Sequence, residues 1–237
     1  MKIEFDDGFF FGKGAFETIK VVDGDPLFLE KHLERLKKSL KFFGIEREID
    51  EEKIYDYIKN SKEKNFALKL IVSDENFILT SRKDNYRDDN KSLSLKISKV
   101  RRNSTSKIIY HKSLCYYENI LEHRWAVESG YDSALFLNER DEVCETSFAN
   151  IFFVRDHKVF TPEIPSGLLK GTMRDFLLEN FEINEEKICA KDLIGFDECF
   201  ISNSLMGVRN VTSIDEIKFT SADKTRDLQE KLKIYGF

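Results

Sequence analysis

The sequence predicts an α+β protein of two domains, and three observations support this. Strand-like and helix-like segments alternate in the first half, short β-branched and aromatic runs dominate the second half, and a polar stretch separates the two. That stretch, residues 101–106, reads Arg-Arg-Asn-Ser-Thr-Ser, which is typical of a linker. Within the 237 residues we therefore expect a small α+β domain over 1–100, a linker over 101–106 and a larger domain over 107–237.

The first domain opens with a hairpin. Residues 14–22 have strand composition, Asp23-Gly24-Asp25 is a turn sequence, and residues 26–29 form the return. Leucines then recur three and four residues apart up to Phe43, and Gly44 provides a left-handed helix end. Asp50 can cap a second helix. Three further strands are expected over residues 66–72, 77–80 and 93–97, with a polar loop from 82 to 91.

The second domain is expected to contain a sheet and three helices. The first helix runs from about Leu114 to Ser129 and ends at Gly130. The apolar runs that predict strands cover residues 134–137, 151–154, 159–161 and 199–202, and further helices are expected over 173–181 and 222–235.

Composition excludes several function classes. The 38 basic and 43 acidic residues are mixed along the chain and leave a net charge of −5, which argues against a nucleic-acid partner. No apolar run reaches the roughly 18 to 20 residues of a membrane span, and the first residues lack a signal-peptide pattern, so we expect a cytoplasmic protein. The four cysteines are scattered without a Cys-x-x-Cys pair, which predicts reduced, mostly buried thiols and no metal site.

Lys112 and Glu145 are the two residues whose surroundings indicate chemistry. Lys112 follows Ile108-Ile109-Tyr110-His111 and precedes an apolar run, so partial desolvation would lower its pKa and make the amine nucleophilic. Glu145 lies between a polar turn and an apolar strand, where a carboxylate could pair with a pyridinium nitrogen. These are the two contacts that pyridoxal phosphate requires, although a strand-end lysine and a turn carboxylate are more common interpretations of each residue alone.

Three other features could hold a phosphate. Residues 167–175 form a glycine-punctuated loop that enters a helix, with Thr172 and Asp175 at capping-box spacing, and amides at a helix N-terminus attract anions. Ser204 lies in a small-residue stretch that ends a strand, and Arg35 on the first long helix could donate a bidentate pair of hydrogen bonds. Each could equally be an ordinary cap, turn or surface arginine.

The order of these residues along nearly the whole chain resembles that of fold-type IV pyridoxal phosphate enzymes, the class IV aminotransferases. Residues 11–18, Phe-Gly-Lys-Gly-Ala-Phe-Glu-Thr, are similar to the family's Tyr-Gly-x-Gly-x-Phe-Glu motif, and residues 32–36 to its His-x-x-Arg-Leu helix. Residues 145–152, Glu-Thr-Ser-Phe-Ala-Asn-Ile-Phe, resemble its Glu-x-x-x-x-Asn-Ile/Leu-Phe strand. The resemblance implies a small N-terminal domain, a larger domain with a β-barrel-like core and flanking helices, and pyridoxal 5'-phosphate as cofactor.

The same resemblance implies a role for each matching residue. Lys112 would be the Schiff-base lysine and proton shuttle, and Glu145 the partner of the ring nitrogen. The phosphate would be held by Arg35, by Ser204 and by the amides of Thr172 and Met173. Tyr116 matches a position that often contacts the ring oxygen, although Tyr117 fits within one residue.

Within the family, two patterns favour 4-amino-4-deoxychorismate lyase, which releases pyruvate to form the folate precursor 4-aminobenzoate. Residues 171–174, Gly-Thr-Met-Arg, resemble the Gly-Ile-Met-Arg of the lyases, and residues 203–208 resemble their Asn-Ala/Ser-Leu-Met/Arg-x-Val. A branched-chain or D-amino acid aminotransferase is the alternative, and intact Lys112 and Glu145 argue against a non-catalytic protein of the same fold. The resemblance also implies a small-molecule amine or amino acid substrate and a homodimer. Arg82, Lys83 and Lys107 are unranked candidates for binding substrate carboxylates.

Overall fold

The computed structural model describes residues 2–86 and 91–237. The chain forms two compact units. The first contains the described residues up to 86, the segment His111–Cys115 and Gly236. The second contains the described residues from 91 to Tyr110, together with Tyr116–Tyr235 and Phe237. The predicted polar loop over 82–91 falls partly on residues 87–90, which lie outside the described residues.

The first unit is a four-stranded antiparallel sheet with three helices, and its strand order is β2-β1-β3-β4. In chain order its elements are α1 (Asp7–Phe11), β1 (Gly14–Val22), β2 (Asp25–Pro26), α2 (Leu29–Phe43), α3 (Glu51–Asn60), β3 (Phe66–Ser73) and β4 (Phe77–Arg82).

The core of the first unit lies where α2 and α3 pack on one face of this sheet. Alternate β1 residues, including Ile19 and Val21, meet Leu33 and Leu36 of α2 there, and all four are nearly fully buried. Gly44 ends α2 in the left-handed conformation at φ 66°, and Asp50 caps α3 by accepting a hydrogen bond from the Lys53 N–H (3.0 Å), both as predicted.

The second unit is a nine-stranded mixed sheet that curls into a half-barrel, with helices beside it. In chain order its elements are β5 (Leu93–Arg102), α4 (Tyr117–Glu128), β6 (Ser133–Asn138), β7 (Val143–Thr146), β8 (Asn150–Arg155), β9 (Lys158–Pro162), α5 (Thr172–Asn180), β10 (Ile183–Glu186), β11 (Glu198–Asn203), β12 (Gly207–Ile214), β13 (Ile217–Lys218) and α6 (Asp223–Leu232). The strand order is β10-β9-β8-β11-β12-β5-β6-β7, and β13 pairs with β12. The inner strands β6, β8 and β11 are almost wholly buried, which explains their near-continuous apolar sequences.

The compact units differ from the predicted domains at β5. This strand pairs with β12 and β6 in the second sheet, whereas its first residues were predicted to belong to the first domain. The predicted linker over 101–106 begins inside β5, because Arg101 and Arg102 pair with Leu137 and Asn138 of β6. Polar composition at 101–106 therefore marks the end of a strand and the turn that follows it.

Four local predictions are corrected by the structure. The helix predicted from Leu114 begins at Tyr117, because the Leu114 N–H donates to the carbonyl of Gly14 (3.0 Å) in an extended segment. Strands β7 and β12 lie in segments for which no strand was predicted. The capping box of Thr172 and Asp175 is absent, since Gly171 is the N-cap of α5 and no side chain caps that end. All four cysteines are free, but Cys115 is exposed.

None of the helices formed by residues 2–86 and 91–237 has both the length and the apolar composition needed to cross a bilayer.

Candidate active site

Lys112 is held against the first sheet by its main chain. The Lys112 carbonyl accepts a hydrogen bond from the Phe16 N–H (2.9 Å), and Ser113 forms a bridge with Ala15. The side chain is half-buried, and its Nζ lies 4.6 Å from the centroid of the Phe16 ring. An amine over an aromatic face is partly shielded from water yet remains within reach of it, which suits a group that must act both as nucleophile and as base.

A buried carboxylate that the sequence analysis did not assign organises the lysine cluster, which we define as Phe16, Glu17, His32, Arg35 and Lys112. Glu17 on β1 is fully buried and accepts two hydrogen bonds from Arg35, from Nε (2.8 Å) and from an Nη (2.5 Å). His32 Nδ1 lies 2.6 Å from the same carboxylate. Burial alone raises the pKa of Glu17, but Arg35 and His32 outweigh it and lower that pKa to about 2.

Burial favours the neutral form of His32 in this arrangement. Burial lowers its pKa, and the attraction of Glu17 does not overcome that effect. Because Glu17 is ionised and can only accept, the Nδ1 of His32 carries the proton and donates. The sequence does contain a pattern that could have identified Glu17. Side chains alternate between the two faces of β1, so Glu17 shares the buried face of Ala15 and Ile19, where a carboxylate needs hydrogen-bond partners.

Lys69 on β3 is a second amine at Phe16. Its Nζ lies 4.5 Å from the centroid of that ring, and burial, followed by the nearby Arg82, lowers its pKa. Nothing in the sequence around Lys69 distinguishes it from other strand lysines, so only the structure identifies it.

Glu145 lies on β7 at an irregular step of the sheet. A step of two positions on β6, from Leu135 to Leu137, is matched by a step of three positions on β7, from Thr146 back to Val143. Such an irregularity changes the direction of a side chain and is common beside functional sites. Glu145 is 9% exposed, and it accepts a hydrogen bond from the Leu169 N–H (3.1 Å).

Arg102 is the residue of the second unit that sequence reasoning missed. Its guanidinium lies 3.6 Å from the Glu145 carboxylate and 3.9 Å from the centroid of the Phe136 ring, and it also donates to Glu118 (3.1 Å) and Asn119 (3.0 Å). The side chain is 7% exposed, in contrast to the solvated linker that was predicted. Its only sequence signal is its position at the end of a strand-like run.

Tyr116 and Asn119 fix the turn that follows Glu145. Both donate to the carbonyl of Ser147, Tyr116 from its hydroxyl (2.9 Å) and Asn119 from its amide (3.0 Å). Tyr117 is instead 61% exposed. Of the two tyrosines that the sequence left open, Tyr116 is therefore the one beside the Glu145 strand.

The N-terminus of α5 lies beside β7 and β8. Asn150 on β8 donates to the Leu169 carbonyl (2.8 Å), and a Cβ on Gly171 would lie 2.1 Å from the Asn150 side-chain oxygen. Glycine is therefore required at this close approach. Thr172 and Met173, the first residues of α5, are buried, so their amides lie in a shielded N-terminus with a positive dipole.

Ser204 begins the three-residue turn between β11 and β12. The Asn203 side-chain oxygen accepts from the amides of Leu205 and Met206 (both 2.9 Å), and its amide donates to the Phe148 carbonyl (3.3 Å). This turn is thereby fastened to the turn between β7 and β8. The second unit thus brings together Glu145, Tyr116, Thr172, Met173 and Ser204, whereas Arg35 and Lys112 lie in the lysine cluster of the first unit.

The three unranked candidates for substrate carboxylates, Arg82, Lys83 and Lys107, are all exposed. Arg82 and Lys83 line a cavity of about 1070 Å³ between α3 and β4, together with Tyr57 and Phe66. No residue of the lysine cluster lines it.

Comparison with known proteins decides the family. The sequence model of amino-transferase class IV matches residues 14–214, a range that includes the lysine cluster of the first unit and the candidate residues around Glu145 in the second. The chain belongs to this family. A protein of Bacillus subtilis (strain 168) named aminodeoxychorismate lyase is 28% identical over 242 residues, covering 92% of this chain and 83% of the relative. A protein of Synechocystis sp. named as a probable branched-chain-amino-acid aminotransferase is 28% identical over 228 residues, covering 86% of this chain and 74% of the relative.

A solved structure gives the same result for the fold. A Legionella pneumophila protein crystallised as a candidate 4-amino-4-deoxychorismate lyase superposes with a TM-score of 0.90 at 27% identity, covering 99% of this chain and 96% of that one. The predicted α+β, fold-type IV class is confirmed. Class IV aminotransferases act on small-molecule amines and amino acids and depend on pyridoxal phosphate, so this chain is a pyridoxal phosphate-dependent lyase or aminotransferase.

The lysine cluster of the first unit and the candidate residues around Glu145 in the second fit this cofactor chemically. They supply a half-buried amine, a buried carboxylate and a shielded helix N-terminus without a side-chain cap. In the part of the chain that the structure describes, the buried hydroxyl of Ser202 has no hydrogen-bond partner. Ser202 pairs with Asn150 across β11 and β8, and paired residues share a face of the sheet, so this donor lies on the face that carries the α5 N-terminus. An anion there would satisfy it.

Proposed function

We propose that the protein is a 4-amino-4-deoxychorismate lyase, which converts its substrate into 4-aminobenzoate and pyruvate. The observation that carries the proposal is the position of the two lyase-like stretches beside Glu145. Residues 171–174 follow Leu169, which bonds to Glu145 and Asn150, and residues 203–208 begin with Asn203, which bonds to Phe148 in the turn after the Glu145 strand. The names of the Bacillus subtilis relative and of the Legionella pneumophila structure support the same reaction.

Lys112 is proposed as the catalytic residue. Pyridoxal phosphate, when bound, delocalises the electron pair left when a substrate carbon loses its proton. Lys112 would form the Schiff base and, once displaced by the substrate amine, accept the proton from the amine-bearing carbon at Nζ. The electron pair left on that carbon would form the new ring double bond and expel the enolpyruvyl oxygen from the neighbouring carbon. The ring would become aromatic, and the released enolpyruvate would take up a proton to become pyruvate.

Glu145 is proposed to pair with the protonated ring nitrogen. The Leu169 amide and the Arg102 guanidinium hold two different oxygens of its carboxylate, which limits rotation of the side chain. A fixed carboxylate keeps the ring nitrogen protonated and the ring a strong electron acceptor. Tyr116, bonded to the Ser147 carbonyl next to this strand, is the proposed partner of the ring oxygen.

The phosphate is proposed to bind Arg35, Ser204 and the amides of Thr172 and Met173. Glu17 holds the Arg35 guanidinium through Nε and one Nη, so the phosphate would meet a cation whose orientation is already fixed. The amides belong to the shielded N-terminus of α5, where the helix dipole favours an anion.

An aminotransferase is the second candidate, favoured by the Synechocystis relative, whose 28% identity equals that of the Bacillus lyase. The same residues would serve both reactions. In an aminotransferase, Lys112 would return the proton to the cofactor rather than allow pyruvate to leave.

Supplying 4-amino-4-deoxychorismate without a keto acid separates the two functions. The lyase yields equal amounts of pyruvate and 4-aminobenzoate, and Lys112→Ala abolishes both products. Lys69→Ala, which removes the other amine at Phe16, is the matched control and is expected to keep the reaction. No product, together with amino transfer from leucine or D-alanine to 2-oxoglutarate, would refute the lyase assignment.

We also propose a homodimer. Phe5, Phe9, Phe10 and Phe11 form an aromatic cluster and are 72%, 59%, 62% and 76% exposed. With roughly 200 Å² per phenylalanine, the cluster exposes on the order of 500 Å², over half of the ~800 Å² that each partner buries in a standard interface. Light scattering is expected to give twice the 27.8 kDa chain mass, and Phe10→Ser is expected to weaken the dimer. A monomer at high concentration would contradict this.

A cytoplasmic location is part of the proposal. Four free thiols without a disulfide fit a reducing compartment.

A further inference from the structure

His111, the residue before Lys112, packs on α2. Its ring stacks on Phe42 with centroids 4.1 Å apart and planes at 14°, and it meets the edge of Phe43 at 6.1 Å. Phe42 is 41% exposed, so the imidazole covers a face of an aromatic ring that would otherwise meet water. The stack fixes the main chain one residue before the lysine.

A hydrogen bond orients the same imidazole. The Ser39 hydroxyl lies 3.1 Å from the Arg35 carbonyl, to which it donates, and 3.3 Å from His111 Nδ1. Burial lowers the pKa of His111, which favours the neutral ring. A hydroxyl that donates to Arg35 accepts from His111, so this pair favours the tautomer with the proton on Nδ1.

One face of α2 connects the arginine and the lysine. Arg35, Ser39 and Phe42 follow each other at spacings of four and three, so they line one side of the helix. Arg35 is the proposed phosphate ligand, and Ser39 and Phe42 hold His111. The aldehyde and the phosphomethyl group of pyridoxal phosphate are attached to neighbouring carbons of one ring, so the cofactor spans a short, limited distance, and the separation of the two anchors affects how well it fits.

We propose that His111 is a positioning residue, which through Ser39 and Phe42 sets Lys112 at the distance from Arg35 that pyridoxal phosphate spans. The inference rests on the proposed cofactor roles of Lys112 and Arg35. It gives a function to a residue that the family motifs leave unassigned. A purely structural role would stabilise the fold without favouring one cofactor length.

Two aldehydes separate these roles. Pyridoxal phosphate reaches both anchors, whereas pyridoxal lacks the phosphate and reaches only the lysine. Binding of each is measured from the visible absorbance of the lysine-bound form in cofactor-stripped wild type, His111→Ala, His111→Phe and Ser39→Ala. The ratio of the pyridoxal Kd to the pyridoxal phosphate Kd reports how well the anchors are spaced, and melting of each cofactor-free variant reports the fold.

His111→Ala is expected to lower this ratio by about tenfold, because a misplaced lysine loses part of the advantage of holding the aldehyde and the phosphate at the same time. His111→Phe keeps the stack but loses the hydrogen bond, and Ser39→Ala loses the hydroxyl that bonds to His111 and to the Arg35 carbonyl, so each is expected to lower the ratio by about threefold. Ser61→Ala is the matched control: Ser61 donates to the carbonyl four residues earlier (2.8 Å), as Ser39 does, but on α3. It is expected to leave the ratio unchanged.

An unchanged ratio in His111→Ala and Ser39→Ala, with a wild type that binds pyridoxal phosphate normally, overturns the positioning role and leaves the proposed function intact. A wild type that forms no visible band with either aldehyde overturns the proposed function, and the positioning role with it. If His111→Ala does not fold, Ser39→Ala decides the outcome, since it removes one hydroxyl and leaves the stack of His111 on Phe42 in place, and Ser61→Ala controls for the lost bond to the helix carbonyl.

Discussion

Glu17→Gln tests the buried centre of the lysine cluster. The carboxylate accepts from Arg35 Nε, Arg35 Nη and His32 Nδ1, all donors. Glutamine offers one acceptor oxygen and turns its NH₂ toward a donor, and it leaves the Arg35 charge without its buried partner. Lowering the Glu17 pKa from 4.5 to about 2 corresponds to roughly 3 kcal/mol of stability. Removal of one partner of a buried ion pair costs a similar amount, about 3 to 5 kcal/mol.

The pH dependence has a defined sign. The folded pKa of Glu17 is below its ordinary value, so its contribution is fully present above about pH 4.5 and is lost as the pH falls toward about 2. The difference in unfolding free energy between wild type and Glu17→Gln is therefore expected to be constant from pH 7 to about 5 and to shrink below that.

Urea unfolding followed by far-ultraviolet circular dichroism measures this difference. Fluorescence is unsuitable, because the single tryptophan, Trp125, lies on α4 of the second unit. Glu34→Gln, an exposed neighbour on α2, is the control and is expected to change stability by less than about 0.5 kcal/mol. A difference below about 1 kcal/mol at pH 7, or one that persists unchanged to pH 2, would refute the assigned role of Glu17.

Three further predictions concern the second unit and the thiols. Arg102→Met is expected to weaken pyridoxal phosphate binding by about tenfold and to leave the ratio of the pyridoxal Kd to the pyridoxal phosphate Kd unchanged, because Glu145 loses the guanidinium beside one of its oxygens. Absorbance titration checks this, and unchanged binding would exclude a role for Arg102. Gly171→Ala is expected to lower stability by about 1 to 3 kcal/mol, since its Cβ would lie 2.1 Å from an Asn150 oxygen; a melting temperature equal to wild type would show that Asn150 moves freely. Cys115 is expected to react with a thiol reagent in the native protein, whereas Cys144 and Cys199 react only on unfolding, because burial raises their thiol pKa values. Mass spectrometry of the labelled peptides measures this, and labelling of Cys199 in the native protein would contradict the fold.

Sequence patterns located the regular elements well where burial is visible in neighbouring residues. The leucine spacing of α2 with its glycine end shows a buried helix face, and the continuous apolar runs of β6, β8 and β11 show strands buried on both faces. Strand β7 was missed because its four residues, Val-Cys-Glu-Thr, are too few to show a period and include a carboxylate. The helix predicted from Leu114 began late because a contact with Gly14, a hundred residues earlier, holds that residue extended.

The candidate site shows the same division. Lys112, Glu145 and Arg35 were found because the order of motifs along the chain can be recognised without knowing any contact. Their roles remain predictions. Arg102 was assigned to a linker because an arginine among polar residues has no local sign of burial, whereas the structure places it 3.6 Å from Glu145.

The sequence by itself determined the family, the cofactor and the order of the candidate residues, because these are properties of linear motifs. Only the tertiary structure decided which side chains support them. Glu17 holds Arg35 and His32 within one buried ion cluster, and His111 rests on Phe42 and Ser39. These partners are 15 to 72 positions apart in sequence. Burial makes such contacts strong, but a contact between residues far apart in the sequence leaves no periodic pattern by which it could be recognised.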